Sequence, residues 1–152
     1  MYKKGVNKMT GIIVTGHGHF PTGILSAVAL VAGKPENTAG VDFEEGQSSA
    51  DLKAAMAGAM EALEGEEVLI LADLVGGTPF NTAAGLKAER PDRKIKVVAG
   101  LNMAGLVEAV FSRPMYGLDE LVEAILASGK DGIVDLDRLG ENEEEPDFGD
   151  GL

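Results

Sequence analysis

The sequence predicts an α/β fold, a doubly wound and mostly parallel sheet with helices on both faces. Three observations lead there. Short β-branched or apolar runs alternate with stretches of helical apolar spacing about four times along the chain. The third run is almost continuously apolar, as a strand covered on both faces must be. Glycine clusters stand directly after the first, third and fourth runs, as "GHGHFP", "DLVGGTP" and "AGLNMAG". Parallel sheets bind ligands there, beyond the carboxyl ends of their strands.

Taken in order, "GIIVTG" (11–16) is a β-branched run closed by glycine and predicts a buried strand. "FPTGILSAVALVAG" (20–33) predicts a helix, with Pro21 in the first turn and Gly33 at the far end. A weaker strand is expected over 39–43. "SSADLKAAMAGAMEALEG" (48–65) is a serine-capped helix with Leu52, Ala55, Met56, Ala59, Met60 and Leu63 on one face. "EVLILADL" (67–74) reads as the central strand. "GGTPFNTAAGLKAE" (76–89) is a glycine turn and a helix, with Thr78 as cap and Pro79 as first helical residue. "KIKVVAG" (94–100) is a fourth strand and "MAGLVEAVFS" (103–112) a helix whose Met103, Leu106 and Phe111 read as core. "GLDELVEAILASGKDG" (117–132) is the last helix, with Leu118, Leu121, Ala124 and Ile125 along its apolar face. "IVDL" (133–136) is a short strand candidate.

Composition narrows the function. The chain has 152 residues, enough for one domain with its own core. Residues 1–9 read as an extension, with Met9 an alternative start, 10–137 as the domain, and 138–152 as an acidic tail that does not fold. A formal charge of −12, from 25 acidic and 13 basic residues, disfavours nucleic acid. The absence of cysteine excludes disulfides, thiolate nucleophiles and Cys-ligated zinc. No apolar run approaches the ~20 residues that cross a bilayer, and the N-terminus lacks the apolar region of a signal peptide. A cytoplasmic location is expected. "GHGHFPTG" fails the dinucleotide fingerprint GxGxxG and no GxxxxGK[ST] occurs, so neither NAD nor ATP has a motif and no cofactor is expected.

Both histidines of the chain, His17 and His19, lie in the first glycine loop, and Asp73 ends the third run. If those strands are neighbours, Asp73 lies close to one imidazole. A carboxylate accepting from Nδ1–H fixes the tautomer and leaves Nε2 as a basic lone pair, a nucleophile or general base. Gly16 and Gly18 permit close backbone approach, and the helix ends near Pro21 and Thr78 favour anions, phosphoryl oxygens in particular. His-x-His lacks a third ligand, so no metal site is expected. The same loop also reads as a plain turn with exposed imidazoles, more so at His19, and Asp73 as a simple turn cap.

The strand leading into "TGHGHFPTG", then "LILADLVGGTPFNTAA" with its D-x-x-GG-[ST]-P-F-N block, then "VVAGLNMAGLVEAV" with G-x-N-x-x-x-L-V-E, resembles the IIA component of the mannose family of the sugar phosphotransferase system. The resemblance covers about residues 10–137. It implies a cytoplasmic phosphocarrier that accepts a phosphoryl group from phospho-HPr on a histidine and passes it to the IIB component. IIB in turn phosphorylates sugar entering through the IIC and IID membrane subunits. It places the phosphorylated histidine at His17, carried on Nε2, the orienting aspartate at Asp73, and phosphoryl binding at Gly18, Gly77 and Thr78. It further implies a four-stranded parallel sheet and a homodimer in which 133–136 is a strand exchanged between subunits. IIB is expected on a separate polypeptide. Two departures stand out: Gly16 precedes His17, and a second histidine, His19, follows the glycine. Two other readings stay open: a phosphoryl-donor subunit for a dihydroxyacetone kinase, and a regulatory module that does no transfer.

Overall fold

The computed structural model describes residues 9–141. The expected extension, apart from Met9, and the expected tail from residue 142 onward lie outside the described residues. The elements run β1 (Gly11–His17), α1 (Phe20–Ala32), β2 (Thr38–Phe43), α2 (Ser49–Ala62), β3 (Glu67–Ala72), α3 (Thr78–Glu89), β4 (Lys94–Ala99), α4 (Met103–Ser112) and α5 (Leu118–Asp131). A 3-10 helix over Leu136–Glu141 closes the described chain. The strands form one sheet in the order β2-β1-β3-β4. Every pairing is parallel. The predicted four-stranded, helix-covered sheet is what forms.

Side chains alternate across a strand, and the two faces bury different partners. Ile12, Val14, Leu69 and Leu71 pack with Val28 of α1, Leu106 and Ala109 of α4, and Leu118, Leu121 and Ile125 of α5. Ile13, Val68, Ile70 and Ile95 pack with Leu52, Met56 and Met60 of α2 and with Ala83 and Leu86 of α3. The two central strands, β1 and β3, are therefore sealed from both sides, which is why 67–72 reads as unbroken apolar sequence. In the predicted α4 core, Leu106 is fully buried, whereas Phe111 is 55% exposed and does not belong to it.

Local signals set the helix ends. Ser48 and Asp51 close a reciprocal capping box on α2. The Asn102 side chain accepts from the Gly105 N–H at the start of α4, 2.9 Å away. At α3 the cap is Gly77, and Thr78 is the first helical residue with no side-chain cap bond. The sequence expectation put Thr78 at the cap, so this is a shift of one residue, and among the described residues the Thr78 hydroxyl has no hydrogen-bond partner. Residues 133–135 stand outside the sheet, and Ile133, Val134 and Leu136 are exposed. Among the described residues no helix is long and apolar enough to cross a membrane.

The topology opens a crevice at one place. β1 passes through α1 to β2 on one side of it, and β3 passes through α3 to β4 on the other. The loops after β1 and β3 thus part company between adjacent strands, where parallel sheets hold ligands. The opposite end of the sheet is pinned by Arg113, which is 3% exposed just beyond α4. Its guanidinium donates to the carbonyls of Thr10 at 3.1 Å, Asn37 at 3.2 Å and Glu36. Burial lowers the proton affinity of this group, and nearby Glu36 opposes the shift.

Truncating Arg113 to alanine strips the donors from three carbonyls, of which that of Thr10 is buried. Urea denaturation of Arg113→Ala is expected to show a loss of about 1–3 kcal/mol, the cost of one buried polar group left unpaired. Chemical shifts of the residues around His17, at the far end of the sheet, should stay where they are.

Candidate functional site

The crevice is built by register. Thr15 of β1 lies beside Ala72 of β3, so the next residues, Gly16 and Asp73, meet at the strand ends. A side chain at position 16 would not fit. A Cβ there would lie 2.9 Å from Asp73 Cγ and 2.8 Å from Phe20 Cδ1. Glycine before His17 is therefore the space into which the Asp73 carboxylate folds.

One oxygen of that carboxylate holds His17 twice. Asp73 Oδ2 accepts the His17 backbone N–H at 2.9 Å and lies 2.8 Å from Nδ1 of the same residue. Burial pushes the Asp73 carboxyl up, but the bonds from the His17 backbone and ring, the ring's charge and the Leu74 N–H outweigh it. The net result lies below the ordinary carboxylate value. An ionised carboxylate only accepts hydrogen bonds, so the ring proton sits on Nδ1 and the lone pair on Nε2. The side chain is 48% exposed, and Asp73 only 15%. The edge of the Phe43 ring stands against the imidazole, with centroids 6.2 Å apart.

The other side of the ring faces backbone. A Cβ on Gly77 would come within 2.8 Å of His17 Cε1 and 3.4 Å of Nε2. The α3 N-terminus begins at that point. The N–H groups of Thr78 and Phe80 have no hydrogen-bond partner among the described residues, and Pro79 has no N–H to offer. The Gly76–Gly77 turn is braced by Asn81, whose side chain donates to the Gly76 carbonyl at 3.1 Å. Asn81 was not singled out from sequence, although its place three residues after Thr78 marked it as part of the turn.

The remaining predicted residues have different surroundings. The Gly18 N–H is taken by the Phe43 carbonyl at 2.7 Å, so Gly18 contributes a reversed backbone (φ 57°) and no free donor. His19 lies on the β2 side. Its Nδ1 is 3.0 Å from Asp42 Oδ2, and its Nε2 is 3.4 Å from Glu44 Oε1. Asp42 also takes the Thr22 N–H at 3.1 Å and the Thr22 hydroxyl at 2.9 Å, which occupies the end of α1. Of the two helix ends expected to attract an anion, the one at α3 is free. Among the described residues, no three His, Asp or Glu side chains gather in a metal-binding arrangement.

Such an arrangement offers a bare, oriented imidazole nitrogen next to unpaired N–H donors. Comparison with known proteins gives it a context. A family model, EIIA-man, described as the fructose IIA component of the phosphotransferase system, matches residues 11–126. The fructose-specific EIIA component of Bacillus subtilis is 32% identical over 120 residues, covering 78% of this chain and 81% of that protein. The mannose-specific EIIAB component of Escherichia coli K12 is 32% identical over 130 residues, which are 82% of this chain but 39% of that longer protein. The crystal structure of an EIIA component from Streptococcus agalactiae superposes with a TM-score of 0.80 at 45% identity, covering 85% of this chain and 98% of that one.

The close packing of Gly77 on the ring can be tested without any assay of activity. Gly77 has an ordinary φ of −73°, so alanine meets no backbone strain there and acts through its methyl group and the weaker N-cap it makes. Gly77→Ala is expected to push the imidazole off Asp73, and the protected Nδ1–H signal should vanish from the NMR spectrum. Asp73 should then titrate at higher pH than in the unaltered chain. Its contribution to stability is full above the ordinary aspartate value and is lost as pH falls through its lowered folded value, so the acid limb moves up with it. The change at the helix cap itself should cost no more than about 1 kcal/mol.

Proposed function

Because the chain belongs to the mannose-type EIIA family and is a phosphocarrier component of a sugar phosphotransferase system, we propose that its phosphoryl group travels on Nε2 of His17. The observation behind this reading is the pair of bonds from His17 to Asp73 Oδ2, which fixes the proton on Nδ1. Phospho-HPr is the donor and a IIB component the acceptor, with the IIC and IID membrane subunits downstream. The relatives named above are sugar-system components, which favours IIB over a dihydroxyacetone kinase as the recipient.

The step is an exchange of one phosphorus–nitrogen bond for another. The Nε2 lone pair attacks phosphorus as the donor imidazole leaves with the electron pair of its own bond. Asp73 offsets the positive charge that grows on the His17 ring and keeps the nitrogen aimed. Thr78 and Phe80 N–H groups, with the Thr78 hydroxyl, receive the phosphoryl oxygens, while Gly77 lets the group come close. Positioning and electrostatics of this kind supply most of what phosphoryl transfer requires. Gly18 shapes the loop.

A homodimer fits the same chain. β4 is the last strand of the sheet, with one edge unpaired among the described residues. Ile133 lines a cavity with Val98 and Ala99 of that strand, and Ile133, Val134 and Leu136 are exposed. An apolar, β-prone segment beside an open strand edge supports its exchange into a partner's sheet.

Intact mass after incubation with phosphoenolpyruvate, Enzyme I and HPr tests the assignment. The unaltered chain should gain one phosphoryl group, His17→Ala none, and His19→Ala one. Asp73→Asn should remain folded but accept phosphate on the order of 10²-fold more slowly, the scale of a lost acid–base partner. Full uptake by His17→Ala would sink the assignment.

A further inference from the structure

Two imidazoles stand at the same end of the sheet, and each has Nδ1 on a carboxylate: His17 on Asp73 at 2.8 Å, His19 on Asp42 at 3.0 Å. By that contact alone either ring is a prepared nucleophile. The difference lies at the second nitrogen. Nε2 of His19 faces Glu44 Oε1 at 3.4 Å. Among the described residues the ion pair of His17 is made through Nδ1 and none through Nε2, beside which the backbone of Gly77 packs.

The groups facing His19 are Asp42 at the end of β2, Glu44 just after it, and Thr22 from the first turn of α1. A carboxylate at each nitrogen favours the doubly protonated ring. The Asp42 hydrogen bond, followed by the charges of Glu44 and Asp42, raises its proton affinity above that of a free imidazole. An imidazolium has no lone pair to offer phosphorus. Asp42 also sits on the Thr22 N–H, so the α1 end near His19 is already answered by a negative charge. His17 has the opposite setting, beside the unfilled end of α3.

We propose that Glu44, together with Asp42, is a selectivity residue that occupies the second nitrogen of His19 and leaves His17 as the histidine open to a phosphoryl group. This inference rests on the phosphocarrier reading above. At His17 the nitrogen–phosphorus bond forms as the donor's breaks, through the lone pair that the Asp73 contact leaves on Nε2 of the neutral ring. At His19 the Nε2 proton must first leave, with Glu44 the acceptor in reach, before any bond to phosphorus can form. The charge of Glu44 also repels an incoming phosphoryl group. Its side chain is 56% exposed, so replacement by glutamine leaves the core untouched.

Phosphoramidate tests this, because it is a small donor that transfers its phosphoryl group and releases ammonia without protein docking. The full chain, His17→Ala, His17→Ala/Glu44→Gln and His17→Ala/His19→Ala would be treated at neutral pH and the labelled residue located by fragmentation mass spectrometry. The unaltered chain should label at His17, and His17→Ala far more slowly at His19. Adding Glu44→Gln should raise His19 labelling between about twofold and fivefold, the range that an exposed ion pair commands. In an NMR titration the His19 ring should lose its protons at lower pH once Glu44 is glutamine. Labelling of His19 in His17→Ala as fast as His17 in the unaltered chain overturns the proposal. So does an unchanged His19 rate in His17→Ala/Glu44→Gln. No label on the unaltered chain from either phosphoramidate or phospho-HPr overturns the phosphocarrier reading itself, and the proposal with it. Label confined to His17, with no gain at His19, removes the selectivity role alone.

Discussion

A single carboxylate oxygen organises the site. Asp73 Oδ2 takes both the backbone N–H and the ring Nδ1 of His17, so it positions the end of β1 and the imidazole in one contact. The backbone bond matters as much as the ring bond, because it removes the freedom of the strand end that would otherwise let the ring swing. Each of these bonds is worth little on its own in half-exposed surroundings, but together they select one tautomer and one direction for the lone pair. Everything proposed for the chemistry follows from that direction.

Two absent side chains make the contact possible. Gly16 makes room for the carboxylate on one side of the ring, and Gly77 makes room for the ring on the other. Neither glycine needs a left-handed backbone, so their value is volume alone. The members of the Gly-His-Gly run have separate physical duties. Gly16 admits Asp73, His17 carries the lone pair, and Gly18 turns the chain while its N–H bonds Phe43.

The two helix ends near the site differ in the same way as the two histidines. The α1 end carries Asp42 on its Thr22 N–H, and Asp42 also binds His19, whereas among the described residues the α3 end carries no carboxylate and keeps unpaired N–H groups next to His17. Two carboxylates, Asp42 and Glu44, flank His19 on the β2 side, whereas at the end of β3 the Asp73 carboxylate is engaged by His17. An anion arriving at Nε2 of His17 meets the backbone donors of α3, whereas one arriving at His19 meets carboxylates at both ring nitrogens. In an acidic chain, this local arrangement counts for more than the total charge, since screening in water limits each charge to its near neighbours.

Short-range pattern was enough to read the order of strands and helices, the buried central strand, the serine cap of α2 and the glycine loops that flank the site. Those features depend on residues a few positions apart, where helical and extended periodicities speak directly. His17 and Asp73 were legible as candidates because each ends an apolar run, and the motif resemblance joined them. Other features had to wait for the fold: Asp73 against Gly16, Asp42 and Glu44 around His19, Phe43 taking the Gly18 N–H, and Gly77 in place of Thr78 at the α3 cap. The contacts among them join residues at the ends of different strands, as far apart in sequence as Gly16 and Asp73. Only the parallel register of β1 with its two neighbours brings such residues together, because a hydrogen bond across strands leaves no periodic trace in either segment.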